Sequence, residues 1–281
     1  MTTTREQREV DAANTSERQS VVFVHGLWLL APSWDPWRAL FEERGYATLA
    51  PGWPDDPETT DAARQDPSSI AGKSIGQVTE YQVGIIRQLG RKPVIIGHSF
   101  GGLLAQKLAG MGLAAGAVAI DPAPFRGVLP LPLSALKAAS PVLRNPANRN
   151  KSVALKYDQF RFAVANAVSE DEAHELYDKY SVAAPGVPLF QAALANINWN
   201  TEASVDTKNP DRGPLLIISG EKDNTVPPSI ANASYKRYKD NPGPTEFKEI
   251  MGRGHSLTID SGWREVADTV LEFLDRHGLK P

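Results

Sequence analysis

The chain has 281 residues, a formal net charge of −3 and no cysteine. The length suits one large α/β domain with an insertion, and the lack of cysteine excludes disulfides and thiolate metal sites. The small net charge gives no general reason to expect a nucleic acid or an anionic membrane as a partner, and no apolar segment approaches the length of a membrane span.

The N-terminal third predicts a polar tail followed by alternating strands and helices. Residues 1–19 have almost no apolar content and no signal-peptide pattern, so we expect a flexible tail and a cytoplasmic protein. A buried strand over residues 21–24 then enters a glycine turn at His25-Gly26-Leu27-Trp28. A helix after Ser33, a strand over residues 46–50 and an irregular proline-rich loop over residues 51–72 follow.

The stretch around Ser99 joins a strand to a helix through a glycine-flanked serine. Residues 94–96 are β-branched and uninterrupted, which is typical of a strand buried on both faces of a parallel sheet. Residues 103–108 have a helix-forming composition, so the sharp turn between them falls on Ser99. The pattern Gly97-x-Ser99-x-Gly101 suits that turn, because glycine removes collisions with the adjoining strand and helix. Ser99 is therefore the candidate nucleophile.

The remaining pattern predicts a doubly wound, mostly parallel sheet with an inserted helical cap. A strand over residues 116–120 ends in Asp121, after which the strand–helix alternation stops until residue 207 and resumes with a strand over residues 215–218. We expect a core formed by residues 20–122 and 208–281. Residues 123–207 should form a cap that covers the carboxyl edge of the sheet, where Ser99 lies.

A serine nucleophile needs a general base and an acid that orients it. His255 lies in a glycine-rich loop between a strand and the last helix, which makes it the candidate base. Asp223 follows the strand over residues 215–218 and is the favoured acid, while Asp121, which also ends a strand, stays open as the rival. We expect His98 to pack beside the end of its strand, and His25 to form a hydrogen bond within the glycine turn that contains it.

Acyl transfer also needs donors for the developing oxyanion. The amide N–H of Phe100, one residue past Ser99, is one candidate. The turn after the first strand supplies the other, with Leu27 as the first choice and Trp28 as the second.

The ordered set His25-Gly26, Gly97-His98-Ser99-Phe100-Gly101-Gly102, Asp223 and His255 resembles the α/β-hydrolase superfamily. The resemblance covers nearly the whole chain after residue 19. It implies a mostly parallel sheet of about eight strands, hence one or two short strands near or before Val21 that the pattern itself does not indicate. Branches of the superfamily that hydrolyse epoxides or remove halides carry an aspartate at the position of Ser99, so the serine argues against both. The sequence of residues 22–28 is similar to that of small-molecule esterases and of plant-type hydroxynitrile lyases and methylesterases.

The sequence thus favours a serine hydrolase that cleaves a small to medium carboxylic ester or lactone through an acyl-enzyme on Ser99, without metal or cofactor. Trp28 and three aromatic residues of the cap are candidates for the substrate pocket: Phe160, Phe190 and Trp199. The alternatives are a hydroxynitrile lyase-like enzyme or cofactor-free oxygenase with His255 as base, and a ligand-binding protein without turnover. A homodimer is left open.

Overall fold

A computed structural model describes residues 2–281 of the chain. The helices are α1 (Thr4–Ser16), α2 (Asp35–Glu43), α3 (Thr60–Gln65), α4 (Ile75–Ile86), α5 (Phe100–Gly110), α6 (Leu133–Leu143), α7 (Tyr157–Ala163), α8 (Glu170–Tyr180), α9 (Val187–Ala193), α10 (Pro228–Lys236) and α11 (Trp263–Arg276). The strands are β1 (Ser20–Val24), β2 (Ala47–Leu49), β3 (Val94–His98), β4 (Gly116–Ile120), β5 (Ser152–Val153), β6 (Ala184–Pro185), β7 (Leu215–Gly220) and β8 (Thr245–Ile250). Three short 3-10 helices cover Ala31–Trp34, Pro146–Asn150 and Pro210–Arg212.

Six parallel strands form the central sheet in the order β2-β1-β3-β4-β7-β8. The chain moves outward from β1 to β2 and then crosses back to β3, so the loops after β1 and β3 leave the sheet edge in opposite directions. Such a reversal opens a crevice at the carboxyl ends of the two strands, which is where ligands bind in open α/β sheets. The predicted doubly wound parallel sheet is confirmed.

Both faces of the sheet are buried, as the uninterrupted apolar strands require. On β1, Val21 and Phe23 pack into one core cluster and Val22 and Val24 into the other. The first cluster includes the apolar faces of α2 and α11, and the second includes those of α4, α5 and α10. The sheet is therefore a rigid platform for the loops at its edge.

The prediction of a flexible tail over residues 1–19 is wrong for residues 4–16, which form α1. Thr3 and Glu6 make a reciprocal capping box that starts the helix, and Val10 is buried against the core. Glu6 is also buried, and it accepts a hydrogen bond from Gly52 N at 3.0 Å. Composition hid this helix because it has few apolar residues, of which only Val10 and Ala13 are buried.

The short strands that the resemblance implied before Val21 are also absent from the described residues. Helix α1 lies beside β2 instead, where Glu9 accepts a hydrogen bond from Ala50 N at 3.2 Å and Arg5 donates to Ala50 O at 3.0 Å. These polar contacts bind the chain just past the end of β2, next to the edge of the sheet.

Between β4 and β7 the chain forms a separate layer of helices. It contains α6, α7, α8 and α9, together with an antiparallel ribbon of β5 and β6. The layer meets the core through Trp28, whose ring Nε1 donates to Val153 O at 3.0 Å and whose carbonyl accepts from Val182 N at 3.2 Å. None of the helices in the described chain has the length and apolar character needed to span a bilayer.

Candidate active site

Ser99 lies between β3 and α5 in a strained backbone conformation, with φ 58° and ψ −119°. A Cβ on Gly97 would stand 1.9 Å from Gly101 O, and a Cβ on Gly101 would stand 2.0 Å from Val24 O. Both positions therefore exclude any side chain, and the turn forms only with glycine at each. The backbone of Ser99 is fixed by its N–H donating to Ile120 O and its carbonyl accepting from Ala123 N, both at 2.9 Å.

The turn after β1 approaches Ser99 from the neighbouring strand. A Cβ on Gly26 would lie 2.7 Å from Ser99 Cβ and 3.3 Å from its Oγ. His25 holds the turn, because its Nε2 lies 2.9 Å from Asp56 Oδ2 and its Nδ1 lies 2.9 Å from Gly26 O. The expectation that His25 bonds within its own turn agrees with these contacts.

The predicted base and acid meet at the carboxyl ends of β7 and β8. His255 Nδ1 lies 2.6 Å from Asp223 Oδ2, and both side chains are buried. The other Asp223 oxygen accepts hydrogen bonds from Thr225 N at 2.6 Å and Val226 N at 2.9 Å. Two backbone donors and one imidazole N–H thus surround the carboxylate and fix its orientation.

Asp121, the rival acid, is fully buried behind the same histidine. Its nearer oxygen lies 4.0 Å from His255 Nδ1, and its other oxygen accepts a hydrogen bond from Gly220 N at 2.7 Å. Burial, and next the negative charge of Asp223, raise the pKa of the Asp121 carboxyl well above its ordinary value. Asp121 therefore keeps its proton where an ordinary aspartate has lost it.

His98 completes a buried cluster beneath the site. Its ring centroid lies 4.6 Å from that of His255, and burial, followed by the proximity of His255, lowers the pKa of His98 well below its ordinary value. Ligand atoms of His98, Asp121 and His255 lie within 4.8 Å of one another. A cation bound there would compete with Asp223 for His255 Nδ1, so the cluster fits a neutral base better than a metal site.

The remaining requirements for acyl transfer are partly in place. Among the described residues, no turn or loop hydrogen bond uses the amide N–H of Leu27, Trp28 or Phe100 as its donor. The roles of Phe100 and of Leu27 or Trp28 as oxyanion donors stay predictions. The hydrogen bonds of the described residues do not include one between Ser99 and His255, a contact that is often long in the absence of substrate.

A cavity of about 180 Å³ opens beside Ser99, between the sheet edge and the helical layer. Its wall is mainly apolar and includes Trp28, Phe100 and Phe125 from the core side. On the opposite side it is built from small or aliphatic residues of two helices and of the segment before them: Val128, Leu129, Leu131, Ala135, Ala138, Ala139, Leu189, Ala192 and Ala193.

Of the four predicted pocket residues, the structure places Trp28 at this cavity and the other three away from its wall. Phe160 is fully buried in the core, and its ring packs edge-on against Tyr177. Phe190 packs against the core cluster, while its neighbour Leu189 lines the cavity. Trp199 is 82% exposed and covered on one side by the Arg126 guanidinium. These three residues therefore lie outside the cavity wall: Phe160 and Phe190 pack from their helices toward the core, and Trp199 lies in the turn after α9.

Sequence reasoning missed the alanines of α6 and α9 that form the cavity wall. Ala135, Ala138 and Ala139 recur at helical spacing on one face of α6, so this face is both apolar and shallow. Such a face leaves room between helix and sheet instead of filling it. The helical spacing of these alanines is visible in the sequence, and it indicates a helix face that lines a cavity rather than one that fills the core.

The sequence was compared with known proteins. A family model described as "Alpha/beta hydrolase family" matches residues 21–269. Among curated proteins, no significant match to the chain was found.

Solved structures with a similar fold were compared with the chain as well. A monoacylglycerol lipase of Paleococcus ferrophilus is 20% identical with a TM-score of 0.63, and 92% of this chain and 94% of that one are aligned. A thermophilic esterase from Thermogutta terrifontis is 17% identical with a TM-score of 0.65, covering 92% and 90%. An extracellular alpha/beta-hydrolase from a Paenibacillus species is 18% identical with a TM-score of 0.62, covering 90% and 98%. At these identities the likeness shows the fold.

Proposed function

The chain belongs to the alpha/beta hydrolase family, and from that premise and the geometry around Ser99 we propose that it is a serine hydrolase of carboxylic esters or lactones. The observation that carries the proposal is the strained serine at the end of β3 in the same buried site as the 2.6 Å contact between His255 and Asp223. Nucleophile, orienting acid and base then follow β3, β7 and β8, three strands of the same parallel sheet.

The proposed mechanism is acyl transfer through a covalent intermediate. Ser99 Oγ attacks the carbonyl carbon while His255 takes its proton, and His255 then returns that proton to the leaving alcohol. Water, activated by His255 in the same way, releases the acid. The amides of Phe100 and of Leu27 or Trp28 stabilise the oxyanion of each tetrahedral intermediate.

Asp223 is proposed as the acid rather than Asp121. Its carboxylate lies 2.6 Å from His255 Nδ1, whereas that of Asp121 lies 4.0 Å away. The raised pKa of Asp121 disfavours its ionised form beside Asp223, and a carboxyl that is not ionised cannot stabilise an imidazolium by charge. Asp121 instead acts as a neutral neighbour that the site accommodates without a second charge.

The cavity favours a substrate whose acyl or alcohol part is apolar. Most of its wall is apolar, and the polar side chains that line it are those of Ser99, Asn196 and Thr225. We assign the helical layer over residues 123–207 the role of the cap that supplies half of this wall. The monoacylglycerol lipase and the esterase named above support this class of substrate by likeness of fold.

A panel of purified-enzyme assays tests the proposal. p-Nitrophenyl esters of increasing chain length, a set of lactones and a cyanohydrin are offered to the wild type and to Ser99→Ala. We expect hydrolysis of esters or lactones that falls by several orders of magnitude in Ser99→Ala, with both proteins folded, and no change on addition of EDTA. Retention of a tenth of the activity by Ser99→Ala, or cleavage of the cyanohydrin alone, would reject ester hydrolysis through Ser99.

A further inference from the structure

A set of large apolar side chains is exposed on the helical layer that walls the cavity. It comprises two groups, one before and along α6 and one just after α9: Leu129, Leu131, Leu133, Leu136, Leu194, Ile197 and Trp199. We call this set the apolar rim. Leu133 is 84% exposed and Ile197 is 75% exposed, so these side chains meet solvent almost completely. Monomeric proteins rarely keep a contiguous apolar patch on their surface without a binding role.

The two groups of the rim form one surface. Asn196 accepts a hydrogen bond from Gly127 N at 2.7 Å and donates to Val128 O at 2.9 Å, so the turn after α9 is fastened to the segment before α6. The Arg126 guanidinium lies 4.3 Å from the centroid of the Trp199 ring. Leu129, Leu131 and Leu136 also line the cavity itself, so the rim is continuous with the route to Ser99.

The charge of this region differs from that of the whole chain. Residues 122–157 contain no aspartate or glutamate, although the chain as a whole is acidic with a net charge of −3. The segment carries six basic residues: Arg126, Lys137, Arg144, Arg149, Lys151 and Lys156. All except the half-buried Arg126 are exposed, and none of the six forms an ion pair with an acid of the described chain.

Helix α6 places both properties on one face. Its inner face contributes Ala135, Ala138 and Ala139 to the cavity wall. Its outer face exposes Leu133 and Lys137, whose Nζ lies 3.9 Å from the centroid of the Phe162 ring, and Arg144 follows two turns after Lys137 on the same side. Leu136 lies between the two faces, partly exposed and lining the cavity. A helix that exposes leucines and cations together suits an interface where apolar groups enter the acyl region and cations meet anionic headgroups.

We infer that the apolar rim and its six basic residues bind this protein to an anionic lipid surface, with the mouth of the cavity facing the lipid. The leucines would insert at the level of the acyl chains, and the cations would lie near the anionic headgroups and strengthen the binding. A second copy of the chain would present the same six cations and would be repelled. Attachment to the surface is independent of hydrolysis, and only the delivery of an ester to Ser99 rests on the proposed function.

Vesicle sedimentation tests the inference. The full chain is mixed with vesicles of phosphatidylcholine and phosphatidylglycerol in equal amounts, or of phosphatidylcholine alone. We expect binding to the anionic vesicles that weakens at high salt, and much weaker binding to the neutral ones. Leu133→Ser with Ile197→Ser, and separately Lys137→Gln with Arg144→Gln, should each lower the affinity by about tenfold or more.

Matched controls separate the surface from the rest of the molecule. Met111→Ser removes an exposed apolar side chain at the far end of α5, and Lys92→Gln removes an exposed cation at the amino end of β3. Both should bind as the wild type does, and so should Ser99→Ala. Turnover of a soluble acetate ester should be unchanged in all the rim variants, which shows that they are folded.

A spectroscopic readout locates the contact. Of the six tryptophans, Trp199 is exposed, Trp263 at the start of α11 is half-buried, and Trp28, Trp34, Trp37 and Trp53 are buried. Anionic vesicles should therefore shift the emission to the blue, and Trp199→Phe should abolish most of that shift. Equal binding of the rim variants and the wild type would overturn the inference. So would failure of the wild type to sediment, or a dimer in solution that Leu133→Ser with Ile197→Ser dissociates. Vesicle binding without any ester turnover would instead reject only the proposed function.

Discussion

The two sides of the cavity differ in what determines their shape. The sheet edge around Ser99 is set by backbone atoms in close contact, since Gly97 and Gly101 each leave less than 2.1 Å for an added Cβ. The facing helices α6 and α9 present alanines whose neighbours are open space in the cavity. The first side tolerates almost no substitution, and the second changes shape with one side chain. We therefore expect chemistry to depend on the sheet edge and chain-length preference on the helices.

The largest expected effect comes from the acid at the sheet edge. Asp223→Asn keeps the shape of the side chain but removes the charge that orients His255 and stabilises its protonated form. In a serine protease triad the same change costs about 10⁴-fold in kcat, and we expect a loss of that order. Steady-state kinetics with a soluble p-nitrophenyl ester measures it, with Asp121→Asn as the matched control that should cost far less. If Asp121→Asn lost more kcat than Asp223→Asn, with both variants folded by circular dichroism, Asp121 would be the acid of the triad.

A substitution in the neighbouring turn tests how closely the backbone contacts matter. Gly26→Ala puts a methyl group 2.7 Å from Ser99 Cβ, which is too close for two carbon atoms, so either the turn or the nucleophile must move. A displacement of this size near a reacting atom costs about 10²-fold in kcat. The control is Gly84→Ala on α4, where an added Cβ meets nothing within 4 Å. Equal activity of the two variants would show that the contact with Gly26 is unimportant.

A smaller and selective effect is expected on the helical side. Ala139→Leu adds three carbon atoms to the cavity wall without touching Ser99. The kcat/KM for a long-chain ester should fall by roughly tenfold or more, because the pocket loses the volume that the chain needs, while that for an acetate should hardly change. Ala147→Leu, on an exposed position beyond the same helix, is the control. A uniform loss across all chain lengths would assign Ala139 to packing instead.

The smallest effect concerns stability. The pKa of Asp121 is raised in the folded protein, so its protonated form contributes stability that is fully present below the ordinary value of 3.8 and is lost as the pH rises through the higher folded-state pKa. The asparagine side chain of Asp121→Asn does not ionise, so it adds no such pH dependence. Denaturant unfolding between pH 4 and 7 should therefore show the wild type losing stability relative to Asp121→Asn as the pH rises, by about 1 kcal/mol for each unit of pKa shift. Parallel curves for the two proteins would mean that Asp121 ionises normally.

The sheet and the serine turn could be predicted because local signals and global fold agree there. Uninterrupted β-branched residues before Ser99 indicate a strand with two buried faces. Gly97 and Gly101, on either side of Ser99, indicate a turn in which backbone atoms come too close for a side chain. His255 and Asp223 were found by their place in the chain order, and no local pattern distinguished Asp223 from Asp121. Both acids are buried, and only the distances to His255 separate them.

The parts that sequence missed depend on which neighbour a helix face meets. Helix α1 has little apolar surface, but its capping box at Thr3 and Glu6 was a local signal that composition concealed. The burial of Phe160 and the exposure of Trp199 follow from how the helical layer packs on itself, which periodicity does not specify. The basic segment over residues 122–157 was hidden by the acidic charge of the whole chain. Local charge, counted window by window, would have revealed it.

Covalent labelling tests the central claim most directly. A fluorophosphonate reacts with an activated serine and leaves an adduct that peptide mapping by mass spectrometry assigns to one residue. The account predicts a single adduct on the peptide that contains Ser99, formed in step with the loss of ester turnover, and none in Ser99→Ala. An adduct on a different serine, or unimpaired ester turnover by the protein labelled at Ser99, would contradict it.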